Sequence, residues 1–125
     1  MVTSLGKFLR KLRLDNDELL INMAEKIGMP TSTLSAIETG RRRPPRGLAG
    51  RIKDAYDLDK GQTQLLHTCI SEANHWNIDI DASSFSAQDQ KTAVAFARNF
   101  SDLDGADKEA IWKILNKGNR QDDET

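Results

Sequence analysis

The chain has one cysteine, Cys69, so no disulfide can form within it, and this usage fits a reducing cytoplasm. Long apolar runs are also missing. The longest are a few residues, and neither a transmembrane helix nor a signal peptide is expected. There is no P-loop, no Gly-rich dinucleotide fingerprint and no Ser/His/Asp arrangement tied to a turn, so neither enzymatic activity nor a cofactor is expected. His67, Cys69 and His75 invite a metal reading. Three candidates without a fourth ligand make a poor structural zinc site, however, and Cys69 falls on an apolar stripe, so no metal is expected. What remains is 125 residues, 38% hydrophobic and 30% charged. That composition supports a modest core in one domain, or in one small domain with an appendage.

Net charge is only −1, but it is unevenly placed. Residues 1–60 hold 12 Lys/Arg against 8 Asp/Glu, while residues 61–125 hold 6 against 11. The segments Ser4 to Arg13 and Arg41 to Lys53 carry four and six cations respectively and no anion. Phosphate responds to a local basic face rather than to the total, so nucleic acid stays open as a partner of the first half.

Leu5, Phe8, Leu9 and Leu12 fall at i, i+3, i+4 and i+7, predicting an amphipathic helix from Ser4 to Leu14. Leu19, Leu20, Met23, Ala24 and Ile27 make a second stripe, stopped by Gly28 as a left-handed cap. Pro30 suits the first turn of a third helix. Leu48, Ala49, Ile52, Ala55 and Tyr56 form a fourth stripe. A fifth helix opens at Asp59 or Gly61, with Leu65, Leu66, Cys69, Ile70 and Ala73 inside. These five helices predict one all-α domain over residues 1–76.

Within it, Ala24 to Arg46 stands out: a helix ending in Gly, a short turn, a second helix, then four arginines. Two helices joined by a Gly-containing turn and followed by a basic loop have the layout of a helix-turn-helix that reads double-stranded DNA. In the third helix Leu34 and Ile37 point to a core, leaving Thr31, Ser32, Thr33, Ser35, Ala36 and Thr39 outside. An ordinary solvent-facing helix favours Lys, Glu and Gln, so a face of small polar residues suggests another use. It lacks the Arg, Asn and Gln that make bidentate base contacts. Permissive readout through hydroxyls and methyls is therefore expected, with Arg41 and Arg42 as the source of any guanine contact. Arg10, Arg41, Arg42, Arg43 and Arg46 are the candidate phosphate contacts.

These residues carry a family resemblance. Leu9-Arg10-Lys11-Leu12-Arg13, Met23-Ala24-Glu25-Lys26-Ile27-Gly28 and Leu34-Ser35-Ala36-Ile37-Glu38-Thr39-Gly40, followed by a basic loop with proline, resemble the XRE family of helix-turn-helix regulators, which includes the lambdoid phage repressors and Cro. The resemblance spans residues 5–73 and implies a repressor-like fold. It also implies an ion pair between Arg13 and Glu38 that pins the recognition helix to the first helix. It puts Thr31, Ser32, Thr33 and Ala36 at the DNA-facing positions, with Ser35 at the edge, and Thr39, Arg41 and Arg43 at positions that hold phosphate. One departure is plain: Leu20 stands where many members have a phosphate-binding glutamine.

Residues 77–125 lie outside the resemblance and read as a small C-terminal helical segment. Ile78 and Ile80 alternate with polar residues, predicting a short strand or extended stretch, while Asp79 and Asp81 form its solvated face. Ser86 can cap a helix running to Phe100, with Ala93, Phe96, Ala97 and Phe100 on one side. A last helix runs from Ala106 to Lys117, with Ala110, Ile111, Ile114 and Leu115 inside, and stops at Gly118 before a polar tail. Trp76 and Trp112 are read as core or interface packing rather than platforms for bases. Ile78, Ile80, Phe96, Phe100 and Trp112 offer more apolar surface than two short helices need, so a homodimer interface is expected there. A sequence-specific dimeric repressor follows as the leading expectation. The alternative is an antitoxin whose acidic C-terminal segment binds a basic toxin while its first domain autoregulates the operon.

Overall fold

The computed structural model describes residues 1–117, and every regular element among them is helical. The expected stop at Gly118 and the polar tail lie outside the described residues. The helices are α1 (Ser4–Asp15), α2 (Leu20–Ile27), α3 (Thr31–Glu38), α4 (Leu48–Ala55), α5 (Lys60–Ala73), α6 (Ala87–Asn99) and α7 (Gly105–Leu115), with a 3-10 turn at Phe100–Asp102. The chain divides into two compact units after Ile78.

In the first unit α1 packs on α3 and α5, α2 on α3 and α4, and α4 on α5. Each helix contributes its apolar stripe to one core: Leu5, Leu9 and Leu12; Met23, Ala24 and Ile27; Leu34 and Ile37; Leu48 and Ile52; Leu66 and Cys69; with Tyr56 beside α4. Helix limits follow local chemistry. The Thr3 hydroxyl accepts the Gly6 N–H at 3.1 Å, capping α1. Asp59 and Gln62 cap α5 reciprocally, the Gln62 N–H donating to Asp59 at 2.7 Å and the Asp59 N–H to the Gln62 side chain at 3.0 Å.

Two assignments on the stripes are corrected. Leu19 and Leu65 are exposed rather than inside. Leu19 precedes α2 in extended geometry, and its N–H donates to the Asn22 side chain at 2.8 Å. Leu65 faces away from the core side of α5 that Leu66 and Cys69 occupy. Pro30 caps α3 from just outside, at φ −62° and ψ 144°, instead of opening it.

In the second unit Ser86 caps α6 through the Asp89 N–H at 3.1 Å, and Asp104 caps α7 through the Asp107 N–H at 2.8 Å. The short strand is absent: residues 77–82 carry neither helix nor strand, and no second strand among the described residues could pair with them. None of the described residues from Asp79 onward is buried. Ala97, Ala110, Ile114 and Leu115, expected inside, are exposed, while Ala93 and Ile111 are half-buried. Phe96 and Phe100 pack at 5.4 Å between ring centroids, and the Lys108 ammonium lies 5.1 Å from the Phe100 ring. Phe96, Ile80, Phe85 and Leu115 line an open trough of about 460 Å³.

Candidate nucleic-acid interface

The turn between α2 and α3 depends on Gly28, which takes φ 72°, a left-handed conformation costly for residues with a Cβ. There the Met29 N–H reaches the Ala24 carbonyl at 3.0 Å, and the chain reverses into Pro30. Leu34 and Ile37 fix which side of α3 faces the core. Ser32 is left exposed, and Thr31, Thr33, Ser35 and Ala36 half-buried on the accessible side. None of these five side chains carries charge or bulk, so the helix backbone can come close to a duplex.

The rear of α3 is anchored by charge. Glu38 and Arg13 are buried and form a bidentate ion pair: Nη1 of Arg13 contacts Oε2 of Glu38, and Nη2 lies 3.0 Å from Oε1. Nη1 also reaches the Met23 sulfur at 3.3 Å, tying α2 to the same node. Arg10 sits with its Nε 3.6 Å from Glu38 Oε1 and about half its side chain in solvent. It is thus partly engaged with the anchor and partly open to solvent.

The loop after α3 is built to carry cations. Thr39 donates its hydroxyl to the Ser35 carbonyl at 3.0 Å and accepts the Arg41 Nε–H at 3.2 Å. The N–H groups of Arg41 and Arg42 both reach the Ala36 carbonyl, at 2.9 and 3.2 Å. Pro44 is buried beneath the loop, while Arg41, Arg42, Arg43 and Arg46 are exposed. Arg42 and Arg43 line a cleft of about 220 Å³ with Ser4, Glu72 and His75, so one carboxylate faces them there. The loop is therefore fastened to α3 by its backbone and keeps its four arginines exposed.

The departure at Leu20 has a packing counterpart: the side chain is half-buried against the core. Three further residues touch the site in ways the sequence gave no signal of. Gly6 is buried where α1 crosses the end of α3, and a Cβ there would lie 2.3 Å from the Glu38 carbonyl oxygen. Thr3 donates to that same oxygen. Arg51 approaches the Gly28 carbonyl at 3.5 Å, at the outer limit of a hydrogen bond. Only the fold brings these sequence-distant groups together.

Several ionisable groups outside the interface are explained by packing. Burial above all, and then the neighbouring Glu18 carboxylate, hold the Tyr56 hydroxyl well above its ordinary 10. Lys26 pairs with Glu18 at 3.0 Å and stands 4.8 Å from the Tyr56 ring. Burial pushes the Cys69 thiol up, with Glu72 adding to the effect, which disfavours the thiolate. Burial, and secondarily Lys53, push the His67 imidazole down. Among the described residues no group of three or more His, Cys, Asp or Glu side chains could hold a metal ion.

A family model described as a helix-turn-helix domain matches residues 4–66, just over half of the chain. The chain belongs to the helix-turn-helix domain family. The match runs from the first residue of α1 into α5, so the helix-turn-helix domain takes in the Arg13–Glu38 anchor, the turn at Gly28, α3 and the arginine loop. No curated protein and no solved structure matches the chain. The helix-turn-helix match supports DNA binding by this unit. No helix among the described residues is long and apolar enough to cross a membrane.

Proposed function

We propose that the protein is a sequence-specific, non-enzymatic transcriptional regulator of XRE type that represses by occupying its operator as a homodimer. The observation that carries the reading is the outward face of α3. Thr31, Ser32, Thr33, Ser35 and Ala36 form a small, uncharged, accessible surface on a helix locked from behind, and an exposed arginine loop flanks it. In the proposed complex α3 lies in the major groove. The hydroxyls of Thr31, Ser32 and Thr33 exchange hydrogen bonds with base edges, and the Thr methyls and Ala36 pack on thymine methyls. Arg10, Thr39, Arg41, Arg42, Arg43 and Arg46 hold phosphates on either side.

One α3 spans only a few base pairs, so useful affinity calls for two copies reading half-sites about 34 Å apart. The second unit, with Ile78 just before it, supplies apolar surface for that pairing, since Ile78, Ile80, Phe96, Phe100 and Trp112 are all exposed in the single chain. The same surface, on a segment with an excess of acidic residues, also supports a second reading, in which a basic toxin is the partner.

Selection of bound sequences from random duplex DNA, followed by titration over a range of salt, tests the proposal. The expected result is an enriched motif and, for four or five phosphate contacts per subunit, a log–log slope of about −4 per subunit. Failure to bind duplexes at low ionic strength refutes it. Copurification of the chain with a small basic protein in place of a twin favours the toxin-binding reading.

A further inference from the structure

We propose that Thr3 is a positioning residue for DNA recognition, setting the angle at which α3 offers its reading face; this rests on the DNA-reading function proposed above. An α-helix leaves its last four carbonyls without partners inside the helix. In α3 these belong to Ser35, Ala36, Ile37 and Glu38. The following loop fills the first three: Thr39 bonds Ser35 through N–H and hydroxyl, Arg41 and Arg42 bond Ala36, and the Gly40 N–H bonds Ile37 at 3.2 Å. The Glu38 carbonyl is filled from the other end of the domain. Thr3, 35 residues earlier, donates both its N–H and its hydroxyl to it, each at 3.0 Å.

The Thr3 hydroxyl is engaged in both senses, since besides donating its proton it accepts the Gly6 N–H at 3.1 Å. Its methyl group lies 3.1 Å from where a Cβ on Gly40 would stand, so the side chain is wedged against the chain leaving α3. Glu38 is therefore gripped at two separated points, its carboxylate by Arg13 of α1 and its carbonyl by Thr3, the residue that caps α1. One attachment fixes a distance; two also fix a rotation. That rotation decides how Arg10, on α1, is spaced from α3 and from the arginine loop hung on Ala36. Non-specific binding tolerates a shift in this spacing, because phosphates repeat along the duplex. Base readout does not, because each hydroxyl must meet its own base edge.

The experiment uses the full chain, with Thr3→Val to remove the hydroxyl at nearly constant shape and Thr3→Ser to retain it. Dissociation constants are measured for the selected site and for a random-sequence duplex, at a temperature where circular dichroism shows every variant folded. Thr3→Val is expected to lose about five- to tenfold at the selected site while staying within about twofold on random duplex, and Thr3→Ser to restore discrimination. A lowered melting temperature with both affinities unchanged assigns Thr3 a purely stabilising role and overturns the inference. A wild-type chain that prefers no sequence overturns the DNA-reading function itself, and the inference with it. Hydrogen exchange of the wild-type Thr3 amide, with and without the selected duplex, needs no variant. Protection that rises on binding supports the clamp, and protection that is unchanged or falls overturns it.

Discussion

The two units use apolar residues in opposite ways. Between Leu5 and Cys69 every helix buries a stripe in a shared core, whereas from Asp79 to Lys117 no described residue is buried, although Phe96, Phe100, Trp112, Ile114 and Leu115 are present. Trp112 leaves 67% of its surface in solvent and Ile114 leaves 64%. Hydrophobic burial drives folding in proportion to the area removed from water. The first unit thus accounts for its own stability, and the second holds apolar area in reserve. A domain that must present a rigid helix to DNA needs the first arrangement, and the association proposed for the C-terminal segment would use the second.

The sharpest way to break this contrast is at the anchor. Glu38→Ala leaves the Arg13 guanidinium buried without its carboxylate, and a loss of about 3–5 kcal/mol in unfolding free energy is expected from denaturant titration. A loss below about 1 kcal/mol would show that the pair does not hold α3.

A matched pair of truncations compares the units directly. Leu9→Ala should cost about 2–5 kcal/mol, since the side chain is fully buried. Ile114→Ala should change the stability of the single chain by no more than about 0.5 kcal/mol while weakening self-association in sedimentation. If both variants lose equal stability and the oligomeric state is untouched, the division of labour is wrong.

Replacing Arg41 and Arg43 together by Ala should weaken binding to every duplex. It should also reduce the steepness of the salt dependence by about 1.8 in log–log slope, with the melting temperature almost unchanged. An unaltered slope would remove the loop from the interface.

The smallest effect expected is a pH dependence confined to the core of the first unit. Tyr56 is held protonated above its ordinary 10, so its contribution is complete below about pH 10 and is lost as the unfolded chain ionises above it. Tyr56→Phe should cost less than about 1 kcal/mol at neutral pH and make the alkaline decline in stability shallower. A decline of the same depth in the variant would place its source elsewhere.

The first unit was legible in the sequence because its signals are local. Apolar spacing located α1, α4 and α5, Gly28 marked the turn, and the Ser/Thr face of α3 distinguished it from an ordinary surface helix. Leu19 and Leu65 misled because each extends an apolar stripe in register without meeting a neighbour in space. The Ile78–Ile80 alternation misled for a related reason: period two describes a strand only when a partner strand completes its hydrogen bonds.

The order of residues alone determined that Leu34 and Ile37 would turn inward and the hydroxyl-bearing face outward, because helical periodicity assigns sides without reference to the rest of the chain. It also determined the arginine loop, since Pro44 and Pro45 cannot continue a helix. Only the tertiary structure decided that Thr3 and Gly6 close the end of α3, that Arg10 leans on Glu38, and that α6 and α7 leave their apolar side chains uncovered. Those outcomes depend on which surfaces meet, and contacts between residues 35 positions apart leave no trace in local spacing.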